Sequence, residues 1–215
     1  MTKSSKTIIF DFDGTIADTL ETIATLYNKI AHDFNCKPVS FEEKEKFRSM
    51  KTHEFLKECN IPVLLLPVLA IKIKAELRFE IRKVKAISGI VEALHDIKNA
   101  VYNIGVMSSN SVENINIFLK ENSIEKLFDF VHSGKNIFGK DKVILRLLSK
   151  HKLKKEQVIY VGDETRDIEA LKRIKLPIIA VSWGFNSHSV LEKLNPEGLI
   201  DNPNDLLPNI EMIWA

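Results

Sequence analysis

From Gly89 onward the chain alternates helix-patterned and strand-patterned segments at short, regular intervals, and that alternation leaves few folds open to it. Ile90 to Asn99 reads as a helix leading to a strand at Tyr102 to Met107, and Val112 to Lys120 leads to a short strand around Phe128 to Val131. Lys140 to Lys150 then leads to Gln157 to Val161, and Thr165 to Arg173 to Pro177 to Val181. Strands separated by helices of this length pair in parallel, with the helices laid on both faces of the sheet. The expected class is α/β, a doubly wound parallel sheet, and an earlier apolar run, Thr7 to Phe10, supplies its first strand.

Between that first strand and Gly89 the pattern is helical throughout. Its pieces are Leu20 to Phe34, Phe41 to Arg48, Thr52 to Cys59 and Leu65 to Lys85, with breaks at Pro38, Ser49-Met50 and Ile61-Pro62. In the last piece Ala70, Ile73, Leu77, Ile81 and Val84 recur at helical spacing and give it one buried stripe. A helix-only block of this size is no loop. It is expected to be an inserted α-helical cap over residues 20–86, with the α/β core formed by residues 1–19 and 87–215.

Open parallel sheets bind ligands at the carboxyl ends of their strands. The first strand ends in Asp11-Phe12-Asp13-Gly14-Thr15, where residues two apart share a face and two carboxylates therefore converge. Adjacent like charges are costly unless a cation or a proton holds them together. The second strand ends in Ser108-Ser109-Asn110, Lys140 opens the helix before the fourth strand, and the fourth strand ends in Gly162-Asp163-Glu164-Thr165-Arg166-Asp167. Carboxylates, a hydroxyl and an ammonium, with neither histidine nor thiol, suit a hard ion, and Mg²⁺ leaves a position for a phosphate oxygen. Phosphoryl transfer needs an in-line nucleophile, neutralised equatorial oxygens and a proton for the leaving oxygen, and this set supplies all three. Ser109 and Lys140 are the expected phosphate ligands.

These residues, in this order, resemble the motifs of the haloacid dehalogenase (HAD) superfamily of phosphatases, in its branch with a small helical cap after the first strand. Asp11-Phe12-Asp13-Gly14-Thr15 resembles the first motif, Ser109 the second, Lys140 the third, and the Gly162 to Asp167 run the fourth. The resemblance implies a HAD-like Rossmannoid core with strand order 5-4-1-2-3. It also implies that Asp11 is the nucleophile and a metal ligand, and that Asp13 is the general acid/base and lends its backbone carbonyl to the metal. Asp163 and Asp167 complete the magnesium site, and Ser109 and Lys140 grip the phosphate with Asn110 assisting. Val181-Ser182-Trp183-Gly184-Phe185 is similar to phosphoglycolate phosphatase-like members. Ala86-Ile87-Ser88-Gly89 departs from many relatives, which carry a proline before that glycine.

The dehalogenating branch lacks a carboxylate equivalent to Asp13, so Asp13 favours phosphate chemistry. The expected activity is hydrolysis of a small phosphorylated metabolite through an aspartyl-phosphate. A sugar phosphomutase of the same superfamily is the alternative, and a phospho-accepting signalling module or a silent phosphate-binding module is the non-enzyme reading. In the cap, Arg48 and Lys51 flank a turn placed to meet a second anionic group on the substrate. The basic run Lys72, Lys74, Arg78, Arg82, Lys83, Lys85 reads as a solvated face.

A net charge of +2 over 215 residues calls for neither a nucleic-acid nor a membrane partner. Cys36 and Cys59 show no metal spacing, Met1 to Lys6 leaves no room for a secretory apolar segment, and no stretch is apolar for the length of a span. A cytoplasmic protein acting on a small-molecule phosphate ester, as a monomer or homodimer, is expected.

Overall fold

The computed structural model of the chain describes residues 6–134 and 139–215. Residues 1–5, the segment read as running straight into the first strand, lie outside the described residues. Six parallel strands form one sheet: β1 (Thr7–Phe10), β2 (Asn103–Ser108), β3 (Phe130–Ser133), β4 (Val158–Gly162), β5 (Ile178–Val181) and β6 (Gly198–Ile200). Their spatial order is β3-β2-β1-β4-β5-β6, the expected 5-4-1-2-3 with a sixth strand added beyond β5. β1 and β4 are buried along their whole length, as strands covered on both faces must be.

Register fixes where the chemistry lies. Phe10 pairs with Val106 on one side and Val161 on the other, so β1, β2 and β4 end at the same edge, and the Asp11 amide extends the ladder to the Val161 carbonyl at 2.8 Å. Helices α5 (Ile90–Asn99), α6 (Val112–Glu121), α7 (Lys140–Lys150), α8 (Thr165–Ile174), α9 (His188–Glu192) and α10 (Leu206–Ile213) accompany the sheet. One apolar cluster joins Ile8, Phe10, Phe12, Ile104, Phe118 and Leu206, and the other joins Ile9, Ile144, Tyr160, Ile168 and Leu171. Residues 8, 10 and 12 thus face one side of the sheet and 9 the other, as period-two alternation requires.

The helical interval after β1 holds α1 (Leu20–Ala31), α2 (Lys44–Arg48), α3 (Thr52–Glu58) and α4 (Leu66–Glu80). It packs a cluster of its own around Tyr27, Ala31, Leu56, Cys59 and Leu69. Its entry and exit run side by side: Ala17 bridges Ala86, the Asp18 amide donates to the Lys85 carbonyl at 3.0 Å, and Ile87 to Ile16 at 2.9 Å. That crossing explains why α4 stops at Glu80 instead of continuing to Lys85. The chain tightens into a 3₁₀ turn at Ile81–Lys83 and Val84 is extended, which delivers Ala86 to its bridge. α2 starts at Lys44 rather than Phe41 because the Glu43 and Lys44 amides close a turn onto Ser40 and Phe41. β3 starts at Phe130 rather than Phe128 because the 3₁₀ turn Glu125–Leu127 uses up the preceding residues. Among the described residues no helix is long and apolar enough to cross a membrane.

Candidate active site

Beyond Phe10 the chain leaves the ladder in a tight turn, with the Ile16 and Ala17 amides both donating to the Phe12 carbonyl at 3.0 Å. Phe12 points into the core against Phe118, ring centroids 5.0 Å apart and nearly perpendicular. With Phe12 anchored inward, Asp11 and Asp13 are left to the site, as the alternation predicted. Gly14 takes a positive φ of 75°. A Cβ on it would overlap the Asp163 carboxylate, and so would one on Gly184 from the loop after β5. Both glycines are required by the close approach of Asp163.

Asp163, fully buried at the end of β4, accepts from the Thr15 hydroxyl at 2.8 Å and from the Phe185 amide at 2.7 Å. Asp167 lies in the first turn of α8 and is also fully buried. Lys140, the first residue of α7, reaches both Asp11 Oδ2 and Asp167 Oδ1 at 2.5 Å. Burial pulls its pKa down, but the charges of Asp11 and Asp167 outweigh that and hold the ammonium charged. Burial and neighbouring acids push the carboxyls of Asp163 and Asp167 up.

One carboxylate oxygen each from Asp11, Asp163 and Asp167 fall within 4.8 Å of one another. Asp167 Oδ2 is buried with no hydrogen-bond partner. An orphaned anionic oxygen in an all-oxygen, acceptor-only group fits a hard divalent cation.

Asp13 accepts from Asn110 Nδ2 at 3.2 Å to both its oxygens, and from the Ser108 hydroxyl at 3.5 Å. Its carboxyl is pushed up to about 7, first by burial and next by the charge of Asp11. Ser108 is the last residue of β2 and is buried, whereas Ser109 is only partly buried. The hydroxyl that faces Asp13 is Ser108's, while Ser109, the expected phosphate ligand, lies on the wall of the site with Asn110 and Lys140. Arg166 is a further cation here, paired with Glu164.

The family of haloacid dehalogenase-like hydrolases matches residues 8–181. This chain belongs to that family. It is 30% identical to phosphoglycolate phosphatase from Synechococcus elongatus over 206 residues, 96% of this chain and 97% of the relative. Pyrophosphatase PpaX of Bacillus mycoides is 22% identical over 96% of this chain and 97% of its own length. The fold is that of a predicted phosphatase from Clostridium acetobutylicum, with a TM-score of 0.81, 19% identity and 98% and 99% of the two chains covered. A predicted phosphoglycolate phosphatase from Haemophilus somnus gives 0.72 at 18% identity, with 97% and 98% covered. The chain is a phosphoric monoester hydrolase of this superfamily.

In this HAD-like hydrolase a cavity of about 640 Å³ separates the helical insertion from the strand ends, with Asp13, Ser109, Asn110, Lys140 and Arg166 on its core side. Arg48 and Lys51 both line it. The Arg48 guanidinium, however, is committed elsewhere: Nη2 donates to the Ser182 carbonyl at 2.5 Å, Nε to the Gly184 carbonyl at 3.0 Å, and Nη1 pairs with Glu45 at 2.7 Å. Asn186 reinforces this junction, donating to the Met50 carbonyl at 2.9 Å while its Oδ1 accepts from the Thr165 amide at 2.8 Å.

Lys74 was hidden in the basic run. Lys72, Arg78, Arg82, Lys83 and Lys85 are exposed as expected, but Lys74 is half-buried on the cavity wall. Desolvation pulls its pKa down against the opposing charge of Asp13. Its neighbours in sequence give no signal of this, because only the seating of α4 decides which lysine turns inward.

Proposed function

We propose that this protein is a Mg²⁺-dependent phosphatase that hydrolyses a small phosphorylated metabolite through an aspartyl-phosphate on Asp11. The observation that carries the reading is Lys140 bridging Asp11 and Asp167 at the strand ends, with Asp163 in the same carboxylate group. Asp11, Asp163 and Asp167 would hold Mg²⁺, which supplies charge neutralisation for a phosphoryl group. The phosphoryl group would lie beside Asp11, where Ser108, Ser109, Lys140 and Arg166 line a small void. An Asp11 carboxylate oxygen attacks phosphorus while the bond from phosphorus to the ester oxygen breaks, and Asp13 gives its proton to the departing alkoxide. Asp13, now a carboxylate, then takes a proton from the water that attacks the aspartyl-phosphate, releasing inorganic phosphate and restoring Asp11. A carboxyl near 7 can both donate and accept at neutral pH. Lys140 neutralises charge on the phosphoryl oxygens, and the Ser109 hydroxyl, on the same wall of the site, donates to one.

Residues 20–86 act as a cap that closes over the site. Phosphoglycolate and pyrophosphate, the substrates in its relatives' names, each carry a second anion beside the phosphoryl group. Lys51 and Lys74, cations on the cavity wall, would meet one. The test is a panel of phosphorylated metabolites, phosphoglycolate and pyrophosphate included, assayed with Mg²⁺ and with excess chelator. Turnover that requires Mg²⁺ and favours substrates with a second anion is expected; undiminished turnover in chelator would overturn the metal assignment.

A further inference from the structure

We infer that Asn114 is a positioning residue for proton transfer by Asp13, linking the seat of the helical insertion to the orientation of that acid. The inference rests on the phosphatase reading above.

Asn110 can present either its amide nitrogen or its oxygen to Asp13, and an acid needs the same one every time. Its Oδ1 accepts twice, from the Ser111 amide at 2.8 Å and from Asn114 Nδ2 at 3.0 Å. With the oxygen held there, Nδ2 must face Asp13, and it donates to both carboxylate oxygens. Asn110 and Asn114 are each 1% exposed, so no bulk water substitutes for a lost partner.

Asn114 Nδ2 carries a second hydrogen, and it goes to the Lys74 backbone carbonyl of α4 at 3.1 Å. The side chain thus spans from the insertion to the residue that orients Asp13. Its own backbone is pinned by the Ser111 hydroxyl, which caps α6 at 3.1 Å. Asn122, at the C-terminal cap of the same helix, meets the crossing segment, accepting from the Ala86 amide at 3.2 Å. α6 is accordingly the core element on which the insertion registers, and Asn114 is the point where that registration reaches the acid.

The chemistry gives a readout that a packing role does not move. An alkyl phosphate expels a basic alkoxide and needs the Asp13 proton, whereas p-nitrophenyl phosphate expels a stable phenolate and does not. Values of kcat/KM report events through the first phosphoryl transfer. Asn114→Leu, close in volume but with no donor, should lower kcat/KM about tenfold or more for a simple alkyl phosphate that carries no second anion for Lys74 to meet, part of the roughly 10²–10⁴-fold that a placed acid supplies. On p-nitrophenyl phosphate the loss should stay within about threefold on the same grounds. Asn114→Ser, smaller and polar, serves where the leucine variant does not fold, with the same discrimination expected.

Equal losses on the two esters, or none, would overturn the inference and leave the phosphatase reading intact. A wild-type protein that turns over neither ester overturns that reading, and the inference with it.

Discussion

Lys140 is the side chain on which the site's electrostatics turn, since it pairs with both Asp11 and Asp167. Lys140→Ala should cost about 3 kcal/mol of transition-state stabilisation, the scale of losing one preorganised donor. The same substitution leaves buried carboxylates facing each other, so its melting temperature should fall in chelator and recover in Mg²⁺. Paired kinetics and thermal melts check both halves, and a melt that falls equally with and without Mg²⁺ would contradict the metal site. Phe12 does a different job at the same turn. Phe12→Ala should cost about 3–5 kcal/mol of stability in denaturant unfolding, because it empties a buried ring site against Phe118. At this scale the gathering of Asp11, Asp163, Asp167 and Lys140 was legible, because each follows a strand or lies at a helix start. It was not legible where orientation decides, as for Lys74 among its basic neighbours.

Among elements, the turn between α2 and α3 and the loop after β5 form the junction that holds the insertion to the core. Arg48 and Asn186 supply most of its polar contacts, and three of the acceptors are backbone carbonyls, Ser182, Gly184 and Met50. Arg48→Ala should therefore loosen the insertion rather than remove a substrate contact. Activity on a charged metabolite and on an aryl phosphate should fall together, and limited proteolysis should cut faster between residues 49 and 65. A loss confined to the charged metabolite would return Arg48 to the recognition role expected from sequence. The reason sequence reading could not separate these roles is geometric. An arginine at a helix end offers the same donors to a carbonyl or to a ligand, and only the position of the Ser182–Gly184 loop selects between them. β6 escaped for another reason: Gly198-Leu199-Ile200 is too short to show a period.

For the whole molecule, alternation of strand and helix dictated the parallel sheet, and the sheet order brings the ends of β1, β2 and β4 to one edge. That convergence makes residues distant in sequence into one acidic, lysine-bridged group, and a covalent phosphoenzyme on Asp11 is the central consequence drawn from it. The most direct test is to mix the Mg²⁺-loaded protein with a ³²P-labelled phosphate ester it turns over, quench in acid, and locate the label by peptide mapping. Label on the peptide bearing Asp11, absent in Asp11→Asn, is the predicted result. Turnover of the same ester with no label retained, or near-wild-type turnover by Asp11→Asn, would contradict it.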